Sequence, residues 1–518
     1  MRQWTEELHA SHGTRSLLRP DSRPPVSAAV SVRGAALWSL SSQYAVFAVQ
    51  FVVSVVIARF FLTPEEVGLF SIALSAAMMV SILQDFGITR YIAGEPEMGD
   101  DRIRTCFSVS ILFALGVGLV ILALAWPAAR FYDDSRLLPL LAIIASSYLL
   151  VPFGIVPSAL LQREMDFRSL FIVNLGSALA GAAVALGMAA SGHSAESLAW
   201  GTVAQQGARA LLGQWRSGHR PRLPLTVAGA RPILRFGSGA SLLYMSGAIG
   251  VRSPELVIGR MITIEAVGLY GRAVGLAGHL RMLVSGAIGG VFYPAFRRLR
   301  DKGEALDGPY LRVVSGYTAT TWPAMAFLAA ASTPLVLMLY GPVWAGVAPW
   351  LVWIALSEFA FTALPLHMDI PLLMGKMRRL LQLNILDTIA SMALLVAGAL
   401  WSLEWAAASR IGYGLAWLCI YAAFMRRLVG FRWSAMAVIY LKSLAATAAT
   451  VAPLLVVYWR WRTPEEVDFL ILAASALAGC LGWIVAIFLV RHPVREEVLA
   501  VFESALDMLP RPLRFGRG

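Results

Sequence analysis

Apolar stretches of about twenty residues, separated by short polar loops, recur from residue 35 almost to residue 490. At 1.5 Å per residue, such a stretch spans the ~30 Å hydrocarbon core of a bilayer as one helix. The spans read as 35–61, 67–90, 105–126, 137–158, 169–190 and 197–215, then 233–258, 267–292, 312–332, 347–370, 381–401 and 406–425. Two more, 435–458 and 469–490, bring the total to about fourteen. Composition agrees: 58% of residues are hydrophobic and 14% charged, against roughly 25% charged in soluble chains. The expected class is all-α, a polytopic membrane protein. Pro152 and Pro157 in the fourth span, and Pro349 and Pro365 in the tenth, predict kinks.

The chain also states one motif twice. Val56-Ile57-Ala58-Arg59 leads through an acidic loop into Val67-Gly68-Leu69-Phe70, and Val257-Ile258-Gly259-Arg260 leads through a second into Val267-Gly268-Leu269-Tyr270. The copies lie about two hundred residues apart, the spacing of duplicated halves rather than of a solenoid. Two pseudo-symmetric six-helix lobes around a central cavity follow, with the last two spans as an extra pair. The expected divisions are a disordered tail at 1–33, an N-lobe at 34–215, a basic linker at 216–232, a C-lobe at 233–430, the extra pair at 431–490 and a tail at 491–518.

The net charge of +12 sits in short loops. With the N-terminus inside, Lys and Arg concentrate on one face: Arg102, Arg104, Arg163, Arg168, Arg216, Arg297, Arg298, Arg300, Lys376, Arg378, Arg426 and Arg427 belong to it. The opposite loops hold few, among them Arg59, Arg130, Arg136 and Arg260. This bias places both termini in the cytoplasm and explains the charge without nucleic acid. The basic linker is expected to lie against anionic membrane lipids.

Charges inside the spans are the candidate site residues, because each costs roughly 2.5–3.5 kcal/mol at mid-depth and must face a cavity or a partner. Arg252 and Glu255 share one helix face, and read either as a local ion pair or as cavity groups with Glu255 coupling an ion. Ser39, Gln43, Gln50 and Ser54 form a polar stripe at helical spacing. Aligning the repeats sets Glu255 opposite Ser54 and Tyr244 opposite Gln43. Arg272 and His279 share a face, with snorkelling the alternative for Arg272, while Arg281 is the mid-span cavity candidate. Arg410 and Lys442 read as snorkelling. Asp85, Glu358, His367 and Asp369 lie towards span ends, either solvated or able to carry protons, so Asp85 and Asp369 join Glu255 as ion-coupling candidates. Gly271/Gly275 and Gly286/Gly290 are spaced for close helix packing.

Catalytic signals are missing. The sequence has no GxxxxGK[ST], HExxH or GxSxG and only three lysines. Cys106, Cys419 and Cys480 are scattered in apolar segments, which predicts neither a disulfide framework nor a metal site. No cofactor is expected.

Several stretches resemble the bacterial polysaccharide-transporter (O-antigen flippase) family of the multidrug/oligosaccharidyl-lipid/polysaccharide exporter superfamily. They are Thr63-Pro64-Glu65-Glu66-Val67-Gly68-Leu69-Phe70, Asp85-Phe86-Gly87-Ile88 and Pro157-Ser158-Ala159-Leu160-Leu161-Gln162-Arg163. Phe292-Tyr293-Pro294 and Leu339-Tyr340-Gly341-Pro342-Val343-Trp344 continue the match in the family's order. The resemblance implies alternating access of the two lobes in a bacterial inner membrane. Its implied cargo is an undecaprenyl-pyrophosphate-linked oligosaccharide destined for lipopolysaccharide, capsule or exopolysaccharide. A polysaccharide polymerase and a chain-length regulator are the implied company. Arg252, Arg281 and Arg260 would attract the pyrophosphate. The competing readings are a multidrug antiporter of the same superfamily and a membrane-embedded polymerase or ligase.

Overall fold

The computed structural model describes residues 32–85, 88–95, 98–219, 226–227, 229–231, 233 and 250–499. Every regular element among them is helical. The first half comprises α1 (Val32–Phe60), α2 (Pro64–Asp85), a short α3 (Ile88–Gly94), α4 (Asp100–Tyr132), α5 (Leu137–Arg163), α6 (Phe167–Ala190) and α7 (Glu196–Ser217). The second half enters the described region as α8, helical over 250–261. It continues as α9 (Ile264–Asp301), α10 (Asp307–Ala330), α11 (Ser332–Tyr340), α12 (Val347–Ala363), a short α13 (Asp369–Leu373), α14 (Met377–Ala399) and α15 (Leu403–Val429). The extra pair is α16 (Trp433–Arg460) and α17 (Phe469–Leu489).

Seven described helices are long and apolar enough to cross a bilayer by themselves, or eight if the bent pair α10–α11 is one span. Helices α2, α7, α9 and α15 are of spanning length too. The architecture is that of a multi-pass membrane protein and is consistent with the fourteen-span expectation. Breaks differ from the prediction in detail. Pro152 and Pro157 lie within a continuous α5, and the expected span 312–332 ends where the chain turns by 71° from α10 into α11. The expected span 347–370 ends as a helix at Ala363, and Leu366 takes a left-handed φ of 59° before α13 starts.

The duplicated motif acquires its meaning here. In the first copy Thr63 and Glu66 cap α2 reciprocally: Glu66 Oε2 accepts from Thr63 N at 2.8 Å, and Thr63 Oγ1 accepts from Glu66 N at 3.4 Å. In the second copy Thr263 caps α9 by accepting from Ala266 N at 3.0 Å. The sequence Thr-Pro-Glu-Glu-Val returns at 463–467 and makes a second capping box, ahead of α17.

One turn into each capped helix, Gly68 and Gly268 meet face to face. A Cβ on Gly68 would overlap the carbonyl oxygen of Ile264, and one on Gly268 would overlap that of Pro64. The two copies therefore pack on each other across a local pseudo-twofold, and only glycine allows the backbones so close. By contrast Gly275 has open space around it, and a Cβ on Gly271 would meet only Ser71 Oγ at 3.8 Å. That GxxxG pair is not a close-packing site; the side-chain surroundings at Gly286 and Gly290 lie outside what is described. The central apolar core gathers around the crossing, with Ile57, Leu69, Ile72, Ile258, Val267 and Trp344 all buried. This end of the bundle, where the charge bias predicts the extracytoplasmic side, is hereafter the outer end.

The extra pair is tightly joined, since Gly479 and Gly482 of α17 pack on the Thr450 and Ala449 carbonyls of α16. Just beyond α17 the chain is pinned to α16, and through it to α10, by His492, whose exposure is 0%. His492 Nδ1 accepts from Val494 N at 3.2 Å, so its proton is on Nε2, which donates to Ser443 Oγ at 3.1 Å. Ser443 in turn donates to Thr318 Oγ1 at 2.8 Å, and Thr318 donates to Val314 O at 2.8 Å. Burial, aided by the Lys442 charge, lowers the imidazole pKa to about 4. The undocked segment would take up a proton near 6.5, so docking is complete above that pH and weakens as pH falls towards 4. His492→Ala is expected to cost about 1–2 kcal/mol. Faster hydrogen exchange over residues 490–499, corrected for the intrinsic rate, is the measurement that checks both statements.

Candidate functional site

Two adjoining polar chambers lie along α1. The first, of about 690 Å³, is walled by Ser39, Gln43 and Gln50 of α1, Asn174 of α6, Arg209 of α7 and His279 of α9. The second, of about 410 Å³, shares Gln50 and continues past Ser54 to Arg252, Glu255 and Arg272. The stripe expected from helical spacing thus lines both chambers, because those four residues fall on one face of α1. Asn174 Nδ2 donates to Ser42 Oγ at 3.2 Å, which ties α6 to α1 in the first chamber wall.

The second chamber reaches the outer end and is closed by bonds between the halves. Arg272 donates to Ser54 and stacks over Tyr340 and Trp344, with its guanidinium 5.8 and 5.3 Å from the ring centres. Ser75 of α2 donates to Glu255 of α8, and Arg252 approaches the same carboxylate at 3.8 Å. The two latches mirror one another: each joins the first helix of one half (Ser54 or Glu255) to the second helix of the other. Trp344 Nε1 donates to Ala58 O at 2.8 Å, Tyr132 Oη to Leu256 O at 3.0 Å and Arg59 to Met338 O. With the glycine crossing, these contacts hold the outer end shut.

The remaining candidates are dispersed. Arg281 pairs with Glu358 of α12 at 3.1 Å; the arginine side chain is 49% exposed and the carboxylate 4%. Glu358 is therefore buried and paired rather than solvated. Arg260 is exposed near the outer end, 5.3 Å from the Phe131 ring centre. Arg410 lies over Phe361 and Tyr413 within the second half, at 5.2 and 5.5 Å, rather than reaching for headgroups. Asp369 is half-buried where α13 starts. Asp85 ends α2, and its side chain lies outside what is described. Tyr244 lies outside the described residues altogether.

Two polar groups inside the bundle escaped the sequence reading. Asp387 of α14 accepts from Tyr413 Oη at 3.3 Å and is 9% exposed. Arg209 projects into the first chamber, its aliphatic stem crossing α5 at Gly154, where a Cβ would stand 2.9 Å from Arg209 Cγ. An arginine well inside the expected span 197–215 was the available signal. No group of three or more His, Cys, Asp or Glu side chains able to hold a metal occurs among the described residues.

A larger cavity, of about 1060 Å³, lies away from these chambers between α9, α10 and α17. Its walls are mostly apolar, with Phe292, Phe296 and Trp483 among them, and Arg298, Lys302 and Arg312 are its basic members.

A helical membrane bundle of two duplicated halves enclosing a polar chamber is the architecture of a transporter. Residues 56–349, more than half of the chain, match the family described as polysaccharide biosynthesis protein, and the chain belongs to that family. It is 27% identical over 419 residues to the succinoglycan biosynthesis transport protein ExoT of Rhizobium meliloti, covering 79% of this chain and 81% of ExoT. It is 23% identical over 316 residues to the lipopolysaccharide biosynthesis protein WzxC of Escherichia coli, covering 61% and 64% of the two chains. Among solved structures, the lipid II flippase MurJ in an inward closed conformation superposes with a TM-score of 0.66 at 13% identity, over 90% of this chain and all of MurJ. At that identity the likeness establishes the fold.

Proposed function

We propose that this protein flips undecaprenyl-pyrophosphate-linked oligosaccharide units across the bacterial inner membrane for assembly of a surface polysaccharide. The observation that carries the reading is the pair of adjoining polar chambers that share Gln50 between the halves, closed at the outer end. Membership of the polysaccharide biosynthesis family supports it, as do the names of ExoT as a transport protein and MurJ as a flippase. In this reading both termini are cytoplasmic and the first chamber receives the sugars. Ser39, Gln43, Gln50 and Asn174 supply neutral donors and acceptors suited to sugar hydroxyls. The apolar groove beside α17 would accommodate the polyprenyl chain. The protein acts as a carrier, with no covalent step assigned to it; a polymerase and a chain-length regulator would act on the cargo afterwards.

The test is a strain lacking the protein, with lipid-linked sugars measured by mass spectrometry and their leaflet by accessibility to an added glycosidase. Complete units are expected to accumulate on the cytoplasmic side and to clear when the gene is restored. Normal translocation in the deletion strain would overturn the reading. The antiporter alternative gains no support from the chambers: the acid that lines them among the described residues, Glu255, is already engaged by Ser75 and Arg252.

A further inference from the structure

We infer that Arg209 is the anion anchor of the first chamber and holds the phosphate or diphosphate group of the cargo, an inference that rests on the flippase reading. The arginines singled out by sequence are already occupied: Arg252 faces Glu255, Arg281 is paired with Glu358, Arg272 is bonded to Ser54, and Arg260 lies outside on Phe131. Arg209 differs. Among the described residues it makes no hydrogen bond or ion pair, and no Asp or Glu lines its chamber.

The chamber has a second mark of an absent ligand. Arg209 Nε, Ser158 Oγ and His279 Nδ1 are each buried without a hydrogen-bond partner, and all three residues belong to its wall. Buried polar groups are ordinarily satisfied, so three orphans converging on one cavity describe a ligand or the water that it displaces. A half-buried guanidinium whose Nε is buried, without a counter-ion among the described residues, is stabilised by an anionic guest more than by a neutral one. Its planar fork suits two phosphoryl oxygens at once.

Position fits the same guest. Arg209 lies eight residues before the end of α7 at Ser217, about 12 Å along the axis at 1.5 Å per residue. Gln43 and Gln50 continue the wall towards the outer end. A cargo whose anionic group stops at Arg209 would therefore have its neutral hydroxyl-rich part in reach of α1. Gly154 is part of the device, because any larger side chain there would displace the stem that aims the guanidinium.

The experiment is direct binding to the purified full-length protein in detergent, with inorganic pyrophosphate, a polyprenyl diphosphate and a neutral oligosaccharide as separate probes. Arg209→Met keeps the stem over Gly154 and removes the charge; Arg209→Lys keeps the charge without the fork. Both phosphate probes are expected to bind Arg209→Met 10- to 100-fold more weakly, with Lys intermediate and the neutral oligosaccharide unchanged. Weakening of polyprenyl diphosphate alone would mark the lipid-borne group as the true ligand, and weakening of both a general diphosphate site. Unchanged affinity of both phosphate probes in folded Arg209→Met overturns the anchor. Because flippase activity is scored independently, by leaflet accessibility of the lipid-linked sugars in cells, that outcome would leave the flippase reading standing.

Discussion

Gly268→Val is expected to prevent closure at the outer end and to lower export by about tenfold or more. The new side chain would strike the carbonyl oxygen of Pro64, a backbone atom that cannot rotate aside. Overpacking costs about 1–3 kcal/mol even where side chains can adjust. A conformation with α2 and α9 parted avoids that cost, so the equilibrium moves towards it by roughly one to two orders of magnitude. Cross-linking between Arg59→Cys and Met338→Cys, which are in contact across the closed seam, should fall accordingly in a background lacking the native cysteines. Gly68→Val should behave alike, since the crossing is reciprocal. Gly275→Ala, with open space around it, should change neither closure nor export. Wild-type cross-linking in Gly268→Val would show that the crossing does not hold the seam.

The second large effect concerns Arg281 and Glu358. Removing the arginine leaves a carboxylate that is 4% exposed without its partner. Arg281→Ala should therefore cost about 3 kcal/mol, the low end for broken buried pairs because the arginine itself is half-exposed. Glu358→Leu should cost about 1 kcal/mol or less, since the freed guanidinium can hydrate. The double variant should recover most of the loss, because no buried charge remains. Thermal unfolding in detergent measures this asymmetry. Export in the double variant separates two roles: recovery means that Arg281 serves the fold, and continued loss means that it also serves the cargo. A double variant as unstable as Arg281→Ala would show that pairing is not what Arg281 provides.

The legible features were those written along one helix or one loop. Hydropathy located the spans, and the period of 3.6 put Ser39, Gln43, Gln50 and Ser54 on the face that lines the chambers. The two acidic loops read from the repeat prove to hold the caps Thr63 and Thr263, a role that the sequence reading passed over there and at Thr463. The break at Ala331 falls where the expected span 312–332 ends, and Pro334, which has no N–H to offer the Ala330 carbonyl, stands in the first turn of α11. In α5 the helix continues through Pro152 and Pro157, as a bilayer-spanning helix tolerates.

Sequence by itself determined an all-helical membrane protein of two duplicated halves, and it marked the intramembrane charges as groups in need of partners. Only the tertiary structure decided which partner each one has. Arg281 meets a carboxylate 77 positions away and Arg272 a hydroxyl 218 positions away, separations that no local pattern encodes. Arg209 meets none among the described residues. The physical reason is that desolvation penalises every buried charge alike, while compensation depends on a distance of a few ångströms that exists only once the helices are packed.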